Sequence, residues 1–411
     1  INLIAILNNM NDLTSIISNR LVDLIKWIDH EDYKGYDPYD TLNAPIFSNI
    51  KSKYVKYLSL QINKYLPFNI RPLIGIKKDY SPKSMALFLN AYSKLKRIEI
   101  EKLSDLYELL NKGIEKQLSW IKNNKIELDD AICWTINFSL LNIKEERPEN
   151  DPSSVLACFM GEALYEYYLN TKDNEILELL YGISNFLNNK IPILETNDGI
   201  CYCYTQHNKD IVFNANMHVA EFFSKLYNIT NNESYKDIAQ KCVNFTIKYQ
   251  KEDGRWEYSI SKTGKERHQY DFHQGFILNS LYEYMVLCND YREEVQKSLQ
   301  KGYNFYKSYL FFDGRSYWRY PIKFPTDIHN QAMGIICFSK LSNIFNDSLE
   351  KANEILLWTI NKMQDRKGFF YTHYYPIFKN KIPYIRWGQA WMCLALVECL
   401  LKNLEAQDER I

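Results

Sequence analysis

Residues 311–341 read FFDGRSYWRYPIKFPTDIHNQAMGIICFSKL. The segment opens on a turn, Asp313-Gly314, and passes through Tyr317, Trp318 and Tyr320. It then meets Asp327 and runs apolar from Ile328. An aspartate in that place accepts the free N–H groups of a first helical turn, so Asp327 marks a helix start, with Asn330 three residues on. The same order of turn, aromatics and apolar helix recurs along the chain. Asp198-Gly199 precedes Tyr202 and Tyr204, Asp253-Gly254 precedes Trp256 and Tyr258, and Gly368 precedes Phe370 and Tyr371. A period of roughly 55–60 residues is that of a helix-hairpin repeat.

Apolar residues recur at three and four through most of the sequence. The spacing predicts helices near 12–29, 50–65, 82–98, 103–124, 152–171, 174–190, 212–229, 232–251, 272–290, 291–311, 328–344, 347–364 and 387–405. The six starting near 82, 152, 212, 272, 328 and 387 are strongly apolar, and those between them are amphipathic and rich in Lys and Glu. Ser81-Pro82 and Asp151-Pro152 read as caps with proline in the first turn, and Asp271 with Gln274 as a near capping box. Six apolar helices inside six amphipathic ones describe an all-α (α/α)6 toroid. It is expected as one domain over 1–411, with the helix in 1–30 extra or closing the ring.

Composition agrees. Of 411 residues 46% are hydrophobic and 24% charged, an ordinary globular balance that excludes disorder. Gly is 14 and Pro 12, too few breakers for a sandwich or barrel of short strands. Basic and acidic residues number 50 each, which argues against a nucleic-acid partner. The nine cysteines form no CxxC pair, and most sit in apolar runs, as buried thiols of a reducing cytoplasm do. No apolar run is long enough to span a membrane. No cofactor motif and no metal-ligand spacing stands out, and oligomeric state is not legible.

Chemistry gathers in the loops. His207, His218, His268, His273, His329 and His373 lie there or near the helix starts, as do Trp134, Trp256, Trp318 and Trp387. Six inner-helix N-termini on one face would favour an anionic ligand. Asp271-Phe272-His273 matches Asp327-Ile328-His329. Each Asp reads either as a cap or as an acid, and His273 and His329 either as polar helix-mouth residues or as acid, base or ligand. Tyr320 is a further candidate base. Aromatics able to stack on a sugar ring are Tyr36, Trp134, Tyr204, Trp256, Tyr258, Trp318, Tyr371 and Trp387. Asn137, Asn216 and Gln389 offer hydrogen bonds, and Arg71, Arg319 and Arg386 can take a carboxylate in two parallel bonds. Caps, core packing and surface charge are the bland explanations for the same residues.

The runs VFNANMHVAEFFSKLY, YDFHQGF, FPTDIHNQAMGIICFSKL and NKIPYIRWGQAWMCLAL, with RPLIGIKKDYSPKSMALFLNAY and CWTINF, resemble a family from bacterial and archaeal exopolysaccharide and surface-polysaccharide gene clusters. The resemblance runs from about residue 30 to 402 and implies a toroid and a role in polysaccharide biosynthesis. Some members carry a delta-aminolevulinate dehydratase label, which this chain does not fit, because that enzyme is a β/α barrel. Loops rich in Tyr, His and Arg and poor in uncommitted acids favour proton abstraction beside a carboxylate. The expectation is an epimerase or lyase acting on a uronic-acid or otherwise anionic oligo- or polysaccharide. A glycoside hydrolase using Asp271 and Asp327 is the alternative, and a non-catalytic polysaccharide-binding scaffold the third.

Overall fold

The computed structural model describes residues 3–97, 106–141, 146–147 and 151–408. Among them are thirteen α-helices: α1 (Leu3–His30), α2 (Lys53–Tyr65), α3 (Pro82–Leu95), α4 (Tyr107–Asn123), α5 (Ser154–Thr171), α6 (Asn174–Lys190), α7 (Phe213–Thr230), α8 (Glu233–Lys248), α9 (Phe272–Leu287), α10 (Glu293–Tyr309), α11 (Ile328–Leu341), α12 (Ser348–Met363) and α13 (Ala390–Asp408). Each expected helix is present; the expected start of the fourth, at 103, lies outside the described residues. Short antiparallel ribbons join them, such as Ile193–Thr196 with Gly199–Tyr202.

Three helix starts differ from the expectation. Pro152 is not the first residue of α5: Ser153 caps it, its hydroxyl accepting from the Leu156 N–H. Ser81 holds the cap position of α3, but its side chain makes no capping bond. The last helix is preceded by a wide turn, Ile385–Gln389, so α13 begins at Ala390 and not at 387.

The chain divides into two compact units. One comprises Ile121–Trp134 and Pro152–Lys323. Here α5, α7 and α9 pack side by side, and α6, α8 and α10 cover them. The inner three are buried over most of their length because they are apolar nearly all round, whereas α10 buries only one stripe. Gly161 lets α5 and α7 approach: a Cβ there would sit 2.3 Å from the Phe222 ring. Filling that contact with a fully buried Phe stabilises the pair by roughly 1.5–3 kcal/mol.

The other unit comprises Ile1–Trp120, Thr135–Asp151 and Phe324–Ile411. Its buried helices are α3, α11 and α13, with α12 against α11 and α1 against α13. Thus α1 packs on α13 as α12 packs on α11, an outer helix against a buried one. The turn glycines show the same role. Gly254 (φ +96°) lies against the carbonyl of Lys301 on α10, and Gly368 (φ +100°) against that of Asp23 on α1; a Cβ would come within 2.1 and 2.2 Å of those oxygens. Only glycine takes such a backbone angle at such a distance without strain.

A second device repeats with the hairpins. Asn216, Gln274, Gln331 and Gln389 recur every 57 or 58 residues. The Gln274 amide accepts from the Trp256 N–H at 2.9 Å and donates to the Trp256 carbonyl at 2.8 Å. Gln389 clasps Phe370 in the same way, with both bonds 2.8 Å. Asn216 accepts from Tyr202 N–H and donates to the Ile200 and Cys242 carbonyls. Gln274 is therefore committed to the loop before it and forms no capping box with Asp271.

Candidate active site

In the unit containing α9, Asp271 stands at the helix start with its backbone extended, so its carboxylate reaches the N–H of His273 at 3.2 Å. The same oxygen, Oδ1, lies 2.5 Å from Nδ1 of the His273 ring. The other oxygen accepts from Gln269 Nε2 at 2.7 Å, with Arg319 Nε 3.8 Å away. Burial opposes ionisation of Asp271, but His273 and the hydrogen bonds outweigh it and hold its carboxyl below the usual range. The His273 ring stacks on Phe272 at 4.1 Å and meets Tyr258 edge-on at 4.7 Å, while 14% of its side chain stays exposed. The Arg319 side chain is 44% exposed. A buried carboxylate thus fixes a partly exposed imidazole, with an exposed guanidinium beside it.

Beside it, Glu257 is buried and bound to Tyr270 Oη at 2.9 Å and His268 Nδ1 at 2.8 Å. Burial and that glutamate push the Tyr270 hydroxyl up to about 12. Tyr320 donates its N–H to the Tyr270 carbonyl, and its ring joins Phe305, Tyr309 and Tyr317. Trp318 is half-buried and carries Arg319 at 5.5 Å. Tyr204 is half-buried too, its carbonyl holding the Ser154 hydroxyl.

The unit containing α11 holds the matching motif, but the partners differ. Asp327 Oδ1 caps the His329 N–H at 2.7 Å, and Oδ2 lies 3.0 Å from Nε2 of His373. Trp387 Nε1 donates to the same carboxylate at 3.0 Å. His329 stacks on Trp391 and meets Trp387 edge-on, both at 4.7 Å. Asp327, His329 and His373 are each at most 2% exposed, so this cluster is closed where the one at His273 is open. Arg386 forms two parallel bonds to Asp37, 2.6 and 2.8 Å.

Several expected ligand contacts prove to be framework. Trp134 is 1% exposed and donates its indole N–H to the Ile121 carbonyl; Trp256 is fully buried with its indole on Thr246. Neither leaves a face on which a sugar could stack. Arg71 is 0% exposed, held by Asp40 at 2.6 Å, by the Asp37 carbonyl and by the Tyr384 ring. Tyr36 packs in a cluster with Phe47, Ile76 and Tyr384. Tyr371 bonds Asp365 at 2.7 Å, and burial with that carboxylate pushes it up to about 12. Asn137 ties Asp79 and the Tyr80 carbonyl, and Asn216 and Gln389 are the loop clasps described above. Asp37 and Asp40, which hold Arg386 and Arg71, are themselves buried at 5% exposure.

A group inside α5, α7 and α9 had only its His noted in the sequence. His218 Nδ1 lies 3.4 Å from Glu162, between the rings of Phe159 and Phe276. Glu221 is bound by Lys225 at 2.5 Å and Ser280 at 2.8 Å. Acids one or two turns inside an apolar helix were the available signal. Among the described residues, Glu162, His218 and Glu221, and also Glu257, Glu266 and His268, bring possible metal-ligand atoms within 4.8 Å of one another. Lys225 and Ser280 on Glu221, and Tyr270 on Glu257, already use much of that donor capacity.

No family model and no curated protein matches the sequence. Solved structures do. Cellobiose 2-epimerase from Bacillus thermoamylovorans is similar with a TM-score of 0.63 at 14% identity, over 78% of this chain and 88% of that one. A GH76 α-mannanase of Bacteroides thetaiotaomicron gives 0.60 at 14% over 79% and 87%, and a D-mannose isomerase 0.61 at 12% over 79% and 87%. The likeness shows the fold, the (α/α) toroid that sugar epimerases, isomerases and glycoside hydrolases share.

Proposed function

We propose that this chain is a carbohydrate-active enzyme that abstracts a proton beside a carboxylate on an anionic glycan, as an epimerase or lyase of uronic-acid residues does. The observation that carries the reading is the open dyad: a buried carboxylate, Asp271, fixes Nδ1 of a partly exposed His273, with Arg319 at hand. His273 takes the C5 proton, and the electron pair left on carbon spreads into the substrate carboxylate. Arg319 neutralises that carboxylate, and its pull grows as the charge develops. Returning a proton to the opposite face gives the epimer; expelling the C4 oxygen gives the unsaturated product. The second acid is assigned to Tyr258, whose ring meets His273 edge-on.

The hydrolase alternative needs two carboxyl groups free to act on water and leaving group. Asp271 and Asp327 each cap a helix and each hold a histidine, which favours the proton-abstraction reading. The resemblance to polysaccharide gene-cluster proteins supports a biosynthetic setting, and nine buried free thiols suit a reducing cytoplasm. NMR of uronic-acid glycans incubated with the protein in heavy water tests the reading. Deuterium at C5, with or without a new double bond, is expected and should vanish in His273→Gln. New reducing ends without exchange would assign hydrolysis, and neither change, with binding retained, would assign a binding role.

A further inference from the structure

Helix α2 is inside out. Its buried side carries Leu60 with two polar residues, Asn63 bonded to Thr41 Oγ1 at 2.8 Å and Lys64 bonded to Tyr39 Oη at 2.7 Å. Its solvent side carries Tyr54, Val55, Leu58, Ile62 and Tyr65, which are 42–80% exposed. At 3.6 residues per turn these five positions share one arc of about 100°. Past the helix, Phe68 at 60% and Leu73 at 85% are exposed as well. Gly75 packs against Pro45, which brings in Ile46 at 65% exposure. A single exposed leucine needs no explanation, but a continuous stripe backed by polar contacts does.

Charge separates the possible occupants. No acidic residue occurs between Asp40 and Asp79, while Lys51, Lys53, Lys56 and Lys77 lie in that interval, with Lys78 paired to Glu31. The chain as a whole balances 50 acids against 50 bases, so the excess is local. A second copy would bring the same positive charge to the contact and be repelled. A basic segment with an apolar outer stripe and aromatic residues along it has the features of a helix lying in a lipid head-group layer. We propose that α2 and its flanks dock this protein in the plane of an anionic membrane surface. No helix of the described residues is long and apolar enough to cross a membrane, so the contact is peripheral.

The test is co-sedimentation of the full chain with vesicles of phosphatidylcholine, alone or with about one-third phosphatidylglycerol. The protein is expected to pellet with the anionic vesicles and to be released by about 0.5 M salt. Leu58→Glu with Ile62→Glu should lower partitioning at least about tenfold, with circular dichroism unchanged because both side chains are exposed. Lys51→Glu with Lys53→Glu should weaken binding to the anionic vesicles alone. No binding to anionic vesicles, or binding that the paired Leu58→Glu and Ile62→Glu change leaves intact, would overturn the proposal. So would a dimer in solution that Leu58→Glu dissolves, since the stripe would then belong to a second copy.

Discussion

Asp271 Oδ1 lies 2.5 Å from Nδ1 of His273, two residues along the same helix start. A carboxylate that caps a helix is normally spent on backbone N–H groups. Here one oxygen serves both the cap and the ring, so the first turn of α9 and the imidazole are fixed by the same charge. Asp327 begins α11 with the same three-residue motif, yet its second oxygen goes to His373 on a neighbouring strand. The shared Asp-x-His spelling therefore yields one partly exposed histidine and one sealed one.

Removing the ring should separate chemistry from folding. His273→Ala is expected to keep its circular dichroism and to lower kcat on uronic-acid glycans by about 10²–10⁴-fold, the usual worth of a positioned proton-transfer group. Asp271→Asn should lower kcat as well and also depress Tm, because the cap and the buried charge change together. That stability loss is expected at neutral pH and should disappear in acid. The depressed Asp271 carboxyl stabilises the fold above its unfolded pKa and loses that contribution as pH falls through its folded value. Melts of both proteins from pH 7 down to pH 3 would show it.

Arg319 is 44% exposed and 3.8 Å from Asp271, so its loss should leave the fold intact. Arg319→Ala is expected to lower kcat/KM for carboxylated glycans by about 10–100-fold, and Arg319→Lys to restore only part of that, since an ammonium cannot make two parallel bonds. Carboxyl-reduced glycans, which this chemistry cannot turn over, should bind equally to the three proteins. An equal loss of binding to neutral and acidic glycans in Arg319→Ala would deny the guanidinium this role.

The fold was legible because period and punctuation agree: apolar residues at three and four gave the helices, and Gly254 and Gly368 marked loops that had to pass close to a neighbouring carbonyl. The site was less legible. Asp271, His273, Tyr258 and Arg319 come together as their positions near helix starts suggest, but burial was invisible. Trp134, Trp256 and Arg71 have residue types suited to sugar and carboxylate binding, and the same size and hydrogen-bonding capacity makes them good framework once buried. Asn216, Gln274 and Gln389 looked like candidate ligands or caps because a lone amide has no signature; only their shared period shows that they belong to the architecture. The Glu162–His218 contact joins different helices, and no local pattern encodes it.

The clasps can be weighed directly. Gln274→Leu leaves the Trp256 N–H and carbonyl without their partner in a dry site. A loss of about 1–3 kcal/mol is expected, read from urea melts. Asn216→Leu, which removes bonds to Tyr202, Ile200, Cys242 and Thr246, should cost more. Neither change touches His273, so activity per folded molecule should fall far less than in His273→Ala.

Arg71 and Asp40 form a buried pair at 2.6 Å whose balance depends on pH. Burial pushes the Asp40 carboxyl up to about 6, more than Arg71 pulls it down. A group that holds its proton more tightly folded than unfolded contributes fully below its unfolded pKa near 4, and that contribution fades as pH rises through 6. Wild type minus Asp40→Asn should therefore show a stability difference that changes between pH 4 and 6 by up to about 3 kcal/mol and is flat above. Arg71→Ala should be worse than Asp40→Asn at pH 7, by roughly 3–5 kcal/mol relative to wild type, because it strands a buried carboxylate and the Asp37 carbonyl together. If wild type minus Asp40→Asn instead stays flat from pH 4 to 7, Asp40 is ionised throughout that range, and the ion pair outweighs burial.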